Sequence, residues 1–184
     1  IGIGFFDMLC HGSFVEIVIL NSAFIICMIA FAICVGVLVN EEYGCMLVDI
    51  SAGGTDLAVL YNGAPTVVSS LRVGGDQFDD AVIRYLRKKY NLLIGERTAE
   101  QIKITLGSAV RRDDQITMDV TGRNLISGLP KIMSIDSDEI YESMIGCVND
   151  LIEGIQTMLE KTPPQLASDI FDGAITLTGG AANL

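Results

Sequence analysis

The stretch that most constrains this chain is Cys45–Leu60, CMLVDISAGGTDLAVL: an apolar run, a turn of small residues, and a second apolar run. Met46–Ile50 and Leu57–Leu60 have the length and branched apolar content of buried strands, and Asp49 stands at the end of the first. Between them, Gly53 and Gly54 are free to take positive φ and to let a ligand approach the backbone. Such a turn can aim several N–H groups into one concavity, which suits a phosphate. Asp49, beside that concavity, suits a hydrated Mg²⁺ that the same phosphates touch. An ordinary hairpin with a glycine turn fits the stretch equally well, so the choice depends on the residues downstream.

Tyr61-Asn62-Gly63-Ala64 reads as a turn and Thr66–Val73 as a third strand, which completes an antiparallel meander. Gly74-Gly75-Asp76 opens a helix with Asp76, Asp79 and Asp80 early and Arg84, Arg87, Lys88 and Lys89 late, a polarity that complements the helix dipole. Phe78, Val82, Tyr85, Leu86 and Tyr90 form its buried stripe. Asn91–Arg97 is a connection. Thr98-Ala99-Glu100-Gln101 matches a capping box and predicts a helix over Ala99–Leu106 that stops at Gly107. Glu100 and Lys103 share a face of that helix. They read either as a surface ion pair worth a few tenths of a kcal/mol, or as a carboxylate and an ammonium that grip a ligand's hydroxyls.

Asp113–Val120 is expected as a strand ended by Thr121-Gly122-Arg123-Asn124, and Leu125–Ile135 as a connection broken by glycine and proline. Ser137 is the expected cap of a long helix, Asp138–Leu159, stopped by Thr162-Pro163-Pro164. Gln165–Phe171 is a short helix or turn, and Ala174–Thr178 a strand that runs into Gly179-Gly180. Such turns normally lead into a helix that packs back, so further chain is expected beyond Leu184.

Residues 1–40 carry only Asp7 and Glu16 as ionised side chains, and Ile17–Val39 is almost unbroken hydrocarbon. Its length passes the rule for a transmembrane helix, but a basic leading segment and a cleavage pattern for a signal peptide are missing. The preferred reading is a buried strand, Val15–Leu20, a break at Asn21-Ser22, and a buried helix, Ala23–Val37, because the sheet needs a covering layer. A membrane-anchored module is the alternative. A formal charge of −11 argues against duplex nucleic acid as a partner. Five cysteines without CxxC spacing and one histidine, His11, give neither a disulfide framework nor a zinc site.

The order of elements gives an α/β sheet with three glycine turns at strand ends, Gly53-Gly54, Gly74-Gly75 and Gly179-Gly180, placed to converge with Glu100 and Lys103 on one crevice. The P-loop pattern and the GxGxxG fingerprint are both absent. The residues instead resemble the second half of the MreB-type bacterial actins. The carriers are Leu47–Asp56 (LVDISAGGTD), Arg72–Asp79 (RVGGDQFD), Ile94–Lys103 (IGERTAEQIK), Gly107-Ser108-Ala109, Gly122-Arg123-Asn124-Leu125, Pro163–Ile170 (PPQLASDI) and Leu177–Gly180 (LTGG). They run in unbroken order through about residues 40–184. Gly-Arg-Asn-Leu and Pro-Pro-Gln-Leu-Ala-Ser-Asp-Ile point to this family rather than to the chaperones and hexokinases of the same superfold.

The resemblance implies an actin-like, ribonuclease H-like ATPase lobe in which a mixed sheet with an antiparallel meander is followed by helices. It implies ATP and Mg²⁺ as cofactors, with Asp49 linked to the metal through water and Asp49 and Thr55 in the catalytic roles. Ser51, Ala52, Gly53, Gly54 and Thr55 match the second phosphate loop, and Gly74, Gly75 and Asp76 the loop near ribose and phosphates. Glu100 and Lys103 match the ribose-side pair, and Gly179 and Gly180 the adenosine-side turn. It further implies self-association into filaments at the cytoplasmic face of the inner membrane, with cell-wall synthesis proteins as partners and no nucleic acid. Ser51 and Ala52 replace two glycines of the family's turn, Gly54 replaces a threonine, and Ala181 replaces a third glycine at the adenosine turn. An alanine at 52 costs about 1 kcal/mol or more if that position needs positive φ. The family's first phosphate loop is expected outside this chain, and only Asn21 and Ser22 stand near the expected water-positioning acid. Turnover by this chain alone is therefore not expected, and a non-catalytic remnant without nucleotide is the alternative.

Overall fold

The computed structural model describes residues 43–173 and 175–184. The strand, helix or membrane segment expected within residues 1–40 lies outside the described residues. Among the described residues no helix is long and apolar enough to cross a membrane.

Strands β1 (Cys45–Ile50), β2 (Thr55–Tyr61) and β3 (Ala64–Leu71) form the antiparallel meander. Asn62 (φ 53°) and Gly63 (φ 76°) join β2 to β3 with both central residues at positive φ, as a two-residue hairpin turn requires. Strand β7 (Ile175–Thr178) lies parallel to β1 on its other side, so the sheet is mixed, in the order β3-β2-β1-β7. Asp49 pairs with Thr178, which brings the C-terminal ends of β1 and β7 to one sheet edge. Met46, Leu47 and Val48 are all buried, as are Leu57, Ala58 and Val59. Continuous burial rather than alternation marks strands covered on both faces.

Helices α1 (Gly75–Tyr90), α2 (Glu96–Leu106) and α3 (Ser137–Lys161) share one core with this sheet. Phe78, Val82 and Leu86 of α1 pack with Ile102 and Leu106 of α2, Ile140 and Met144 of α3, and Val48 and Leu57 of the sheet. A second, antiparallel sheet has the order β4 (Leu92–Leu93), β5 (Thr117–Asn124), β6 (Pro130–Asp136). Helix α4 (Pro164–Asp172) leads to β7, and Gly180–Asn183 forms a 3-10 turn after it.

The second sheet departs from expectation. Strand β5 starts later than Asp113 and runs through Gly122, which is no turn. A Cβ there would lie 2.8 Å from both Leu92 Cγ and the Leu93 carbonyl oxygen, so the glycine lets β4 lie against β5. The turn falls at 125–129, where the Asn124 side chain accepts from the amides of Ile126 (2.8 Å) and Ser127 (3.3 Å) and Gly128 takes φ 71°. Beyond the turn the chain continues as β6, in place of the expected connection. The caps move as well. Helix α2 starts at Glu96 after Gly95, not at Thr98. Helix α3 is capped by Asp136, whose carboxylate accepts from Glu139 N–H at 2.8 Å, while Ser137 instead accepts from Ile116 N–H at 3.3 Å.

Candidate functional site

The turn between β1 and β2, the start of α1, one face of α2 and the segment after β7 enclose a cleft of ≈ 470 Å³. Ser51 and Ala52 line it from the turn, Gly75, Asp76 and Asp79 from α1, and Glu100, Lys103, Ile104 and Gly107 from α2. Gly180, Ala181, Asn183 and Leu184 close the remaining side, with Arg112 at the margin.

The turn and the start of α1 are fused by backbone hydrogen bonds. Gly75 N–H donates to the Ser51 carbonyl (2.9 Å) and Asp76 N–H to the Ala52 carbonyl (2.8 Å). Gly74 makes this approach possible, since a Cβ there would lie 2.5 Å from Gly54 N and from Ser51 O. Thr55 is fully buried, and its hydroxyl donates to the Val73 carbonyl at 2.6 Å, which ties β2 to the same junction. The first amides of α1 are thus committed to the turn. The amides of Ala52, Gly53 and Gly54 have no acceptor among the described residues.

The glycines of this turn act through space, not through torsion. Neither Gly53 nor Gly54 uses the positive φ open to it; among the described residues only Gly63, Gly128, Gly179, Asn62 and Asn91 have positive φ. Ala52 and Ala181 therefore carry no backbone strain. Gly54 is needed because a Cβ would meet the Leu71 carbonyl oxygen at 2.8 Å, whereas a Cβ on Gly53 would meet nothing within 4 Å. Gly179 is the one glycine of the site with both demands. Its φ is +93°, and a Cβ would lie 2.3 Å from Ile50 O and 2.6 Å from Asp49 Oδ1.

Charge is arranged unevenly. Lys103 is buried, and its ammonium donates to Asp79 Oδ2 at 2.8 Å and to the Gly75 carbonyl at 3.1 Å. Glu100 is exposed and is not its partner, so the expected surface pair between the two is replaced by a contact from α2 to α1. Burial pushes the Asp79 carboxyl above its ordinary value; Lys103 works against that shift, and Glu100 and Asp76 add to it. Asp49 is also raised, first by burial and then by Asp56, directly opposite it across the β1–β2 pair.

Of the residues expected from sequence, Ser51, Ala52, Gly75, Asp76, Glu100, Lys103 and Gly180 line the cleft. Asp49, Gly53, Gly54, Thr55, Gly74 and Gly179 do not line it; they belong to the strand ends, turn and junction that shape it. Asp79 and Arg112 were not foreseen. Asp79 had a signal, since it lies three residues after Asp76 and so shares its helix face. Arg112 had none, because its position comes from the irregular connection after α2, where it donates to the Gly107 carbonyl at 3.0 Å.

A sequence model of the MreB/Mbl protein family matches residues 21–184, beginning well ahead of the Leu47–Asp56 motif. The chain belongs to the MreB/Mbl family. Cell shape-determining protein MreB of Escherichia coli (strain K12) is 43% identical over 155 residues, which are 84% of this chain and 45% of that protein. The chain thus spans about half the length of the curated MreB relatives it matches. Crystal structures of MreB5 of Spiroplasma citri bound to AMPPNP and to ADP are each 37% identical, with TM-scores of 0.80 and 0.81. Each superposition covers 83% of this chain and 46% of the MreB5 chain. The fold of this MreB/Mbl chain is an actin-like ATPase lobe.

Proposed function

We propose that this chain is the second, nucleotide-holding lobe of an MreB-type actin. In this reading its cleft takes ATP with Mg²⁺, and the nucleotide governs self-association into filaments at the cytoplasmic face of the inner membrane, with cell-wall synthesis proteins as partners. One observation carries the reading: three segments far apart in sequence, Ser51-Ala52, Glu100–Lys103 and Gly180–Leu184, wall a single cleft. Its volume is that of a small-molecule site, and the family's solved relatives in Spiroplasma citri are bound to AMPPNP and ADP.

The distribution of charge gives the ligand a direction. Backbone amides without an acceptor among the described residues gather at Ala52–Gly54, so that end receives phosphate oxygens. Asp79 and Glu100 repel phosphate at the other end, and Glu100, exposed and without an ion-pair partner among the described residues, accepts from ribose hydroxyls. Gly180 and Ala181 give the purine a flat, side-chain-poor wall. Thr55 holds the turn in place through Val73, and Asp49 faces the metal's water shell.

Among the described residues no group of three or more carboxylate, histidine or cysteine side chains is placed to hold a metal directly. Mg²⁺ keeps several of its waters and needs only one or two carboxylates besides phosphate oxygens, so Asp49, behind the turn at the end of β1, would hold it through water. Bound Mg²⁺ supplies charge neutralisation on the phosphates. The alanines at 52 and 181 motivated the reading without nucleotide, and neither position demands glycine.

The test is a titration of the chain with a fluorescent ATP analogue and Mg²⁺, beside a Gly180→Phe variant. A Cβ at Gly180 meets nothing within 4 Å and Gly180 lines the cleft, so the variant is expected to keep the fold and fill the cleft. Saturable binding is expected, weakened about tenfold or more, some 1.4 kcal/mol, in the variant. Absence of saturable binding, or binding indifferent to Gly180→Phe, overturns the proposal.

A further inference from the structure

The buried pair between Asp79 and Lys103 is not explained by stability. The two side chains are 14% and 11% exposed, and Asp79 Oδ1 is buried with no hydrogen-bond partner among the described residues. A pair taken out of water returns little net stability, and an unmet buried oxygen costs more. What the pair does fix is a position. Lys103 also donates to the Gly75 carbonyl, and Gly75 N–H is bound to Ser51. A continuous path of hydrogen bonds therefore runs from the turn, through the first residue of α1, to the ammonium on α2 and on to Asp79. Even a Cβ on Gly75 would come 3.4 Å from Lys103 Nζ.

An ammonium has three N–H donors, and two are used among the described residues. The third belongs to a residue that lines the cleft. The ordinary partner for Lys103 is Glu100, one turn away on the same helix, yet the ammonium goes to Asp79. We propose that Asp79 is a positioning residue that keeps the two charges of α2 apart. It holds the Lys103 ammonium against α1, so that its last donor meets an oxygen of the bound nucleotide, and it leaves the Glu100 carboxylate free for the ribose hydroxyls. This rests on the nucleotide reading above. Without Asp79, Lys103 falls onto Glu100 and both contacts to the ligand are lost together.

A double-mutant cycle on the full chain tests this, read by titration with the fluorescent ATP analogue and Mg²⁺ and with melting temperatures recorded alongside. Lys103→Met, which loses one contact, is expected to weaken binding about tenfold, the effect of losing one hydrogen bond to a charged group, and Asp79→Asn, which loses both, about a hundredfold. The double variant is expected to bind no worse than Lys103→Met. A purely structural role for Asp79 gives effects that multiply, or a fall in melting temperature with affinity unchanged, and either result overturns the inference. Should Asp79→Asn fail to fold, Asp79→Glu replaces it. That variant keeps the charge but moves the ammonium by one methylene, and it is expected to weaken binding in the native background and not in Lys103→Met. Wild-type affinity in Asp79→Glu, or equal loss in both backgrounds, overturns the inference. If the unmodified chain shows no saturable binding, the nucleotide reading falls and this inference with it. If the unmodified chain binds and the cycle is additive, only this inference falls.

Discussion

At the scale of single residues the site depends on where a side chain has no room. Gly53 and Gly179 look alike in the sequence, each one member of a double glycine at a strand end. Gly53 faces open space at an ordinary torsion, whereas Gly179 sits at φ +93° with Ile50 O where a Cβ would go. Gly179→Ala is therefore expected to destabilise the fold by about 2 kcal/mol or more, and Gly53→Ala by less than about 0.5 kcal/mol. Urea unfolding of the two variants measures this, and equal effects would contradict the packing described. The difference is invisible in the sequence, because clashes with Asp49 and Ile50 arise only once β7 lies beside β1. For the same reason Ala52 looked costly and is not. Lys103 shows the limit from another side: helical spacing offered Glu100 as its partner, but burial against α1 selected Asp79, twenty-four residues away.

At the scale of elements, α1 and α3 are pinned together by Glu139. Its carboxylate accepts from Lys89 and from the Tyr90 hydroxyl at the end of α1, and from the Asp136 amide in its own capping box. Burial alone would push the Glu139 carboxyl up, but those three donors hold it below its ordinary value of 4.5. The ionised form is thus favoured in the fold, so its contribution is present above about pH 4.5 and is lost as pH falls through the lower folded value. Glu139→Gln is expected to lose roughly 1–3 kcal/mol near neutral pH, with the deficit shrinking below that range. Melting curves of both proteins against pH check it, and a deficit that persists unchanged in acid would contradict it. Elements with clean periodicity, β1, β2, α1 and α3, were legible to within a few residues. Strand β6 was not, because Lys131, Ile132 and Met133 do not alternate apolar with polar and Pro130 reads as a breaker. It stands as a strand only because β5 offers its edge.

At the scale of the whole molecule, the convergence of Ser51-Ala52, Glu100–Lys103 and Gly180 was legible from motif order, since parallel pairing of β7 with β1 puts both glycine turns at one sheet edge. The far wall was not, because Asp79, Arg112 and Leu184 reach the cleft through packing that no local pattern encodes. The most direct test of the central claim is amide hydrogen exchange on the full chain, with and without Mg²⁺ and AMPPNP. The account predicts slowed exchange at 51–54, 100–104 and 180–184 together, and none in β6. Protection confined to one of these segments, or found only elsewhere, would contradict it.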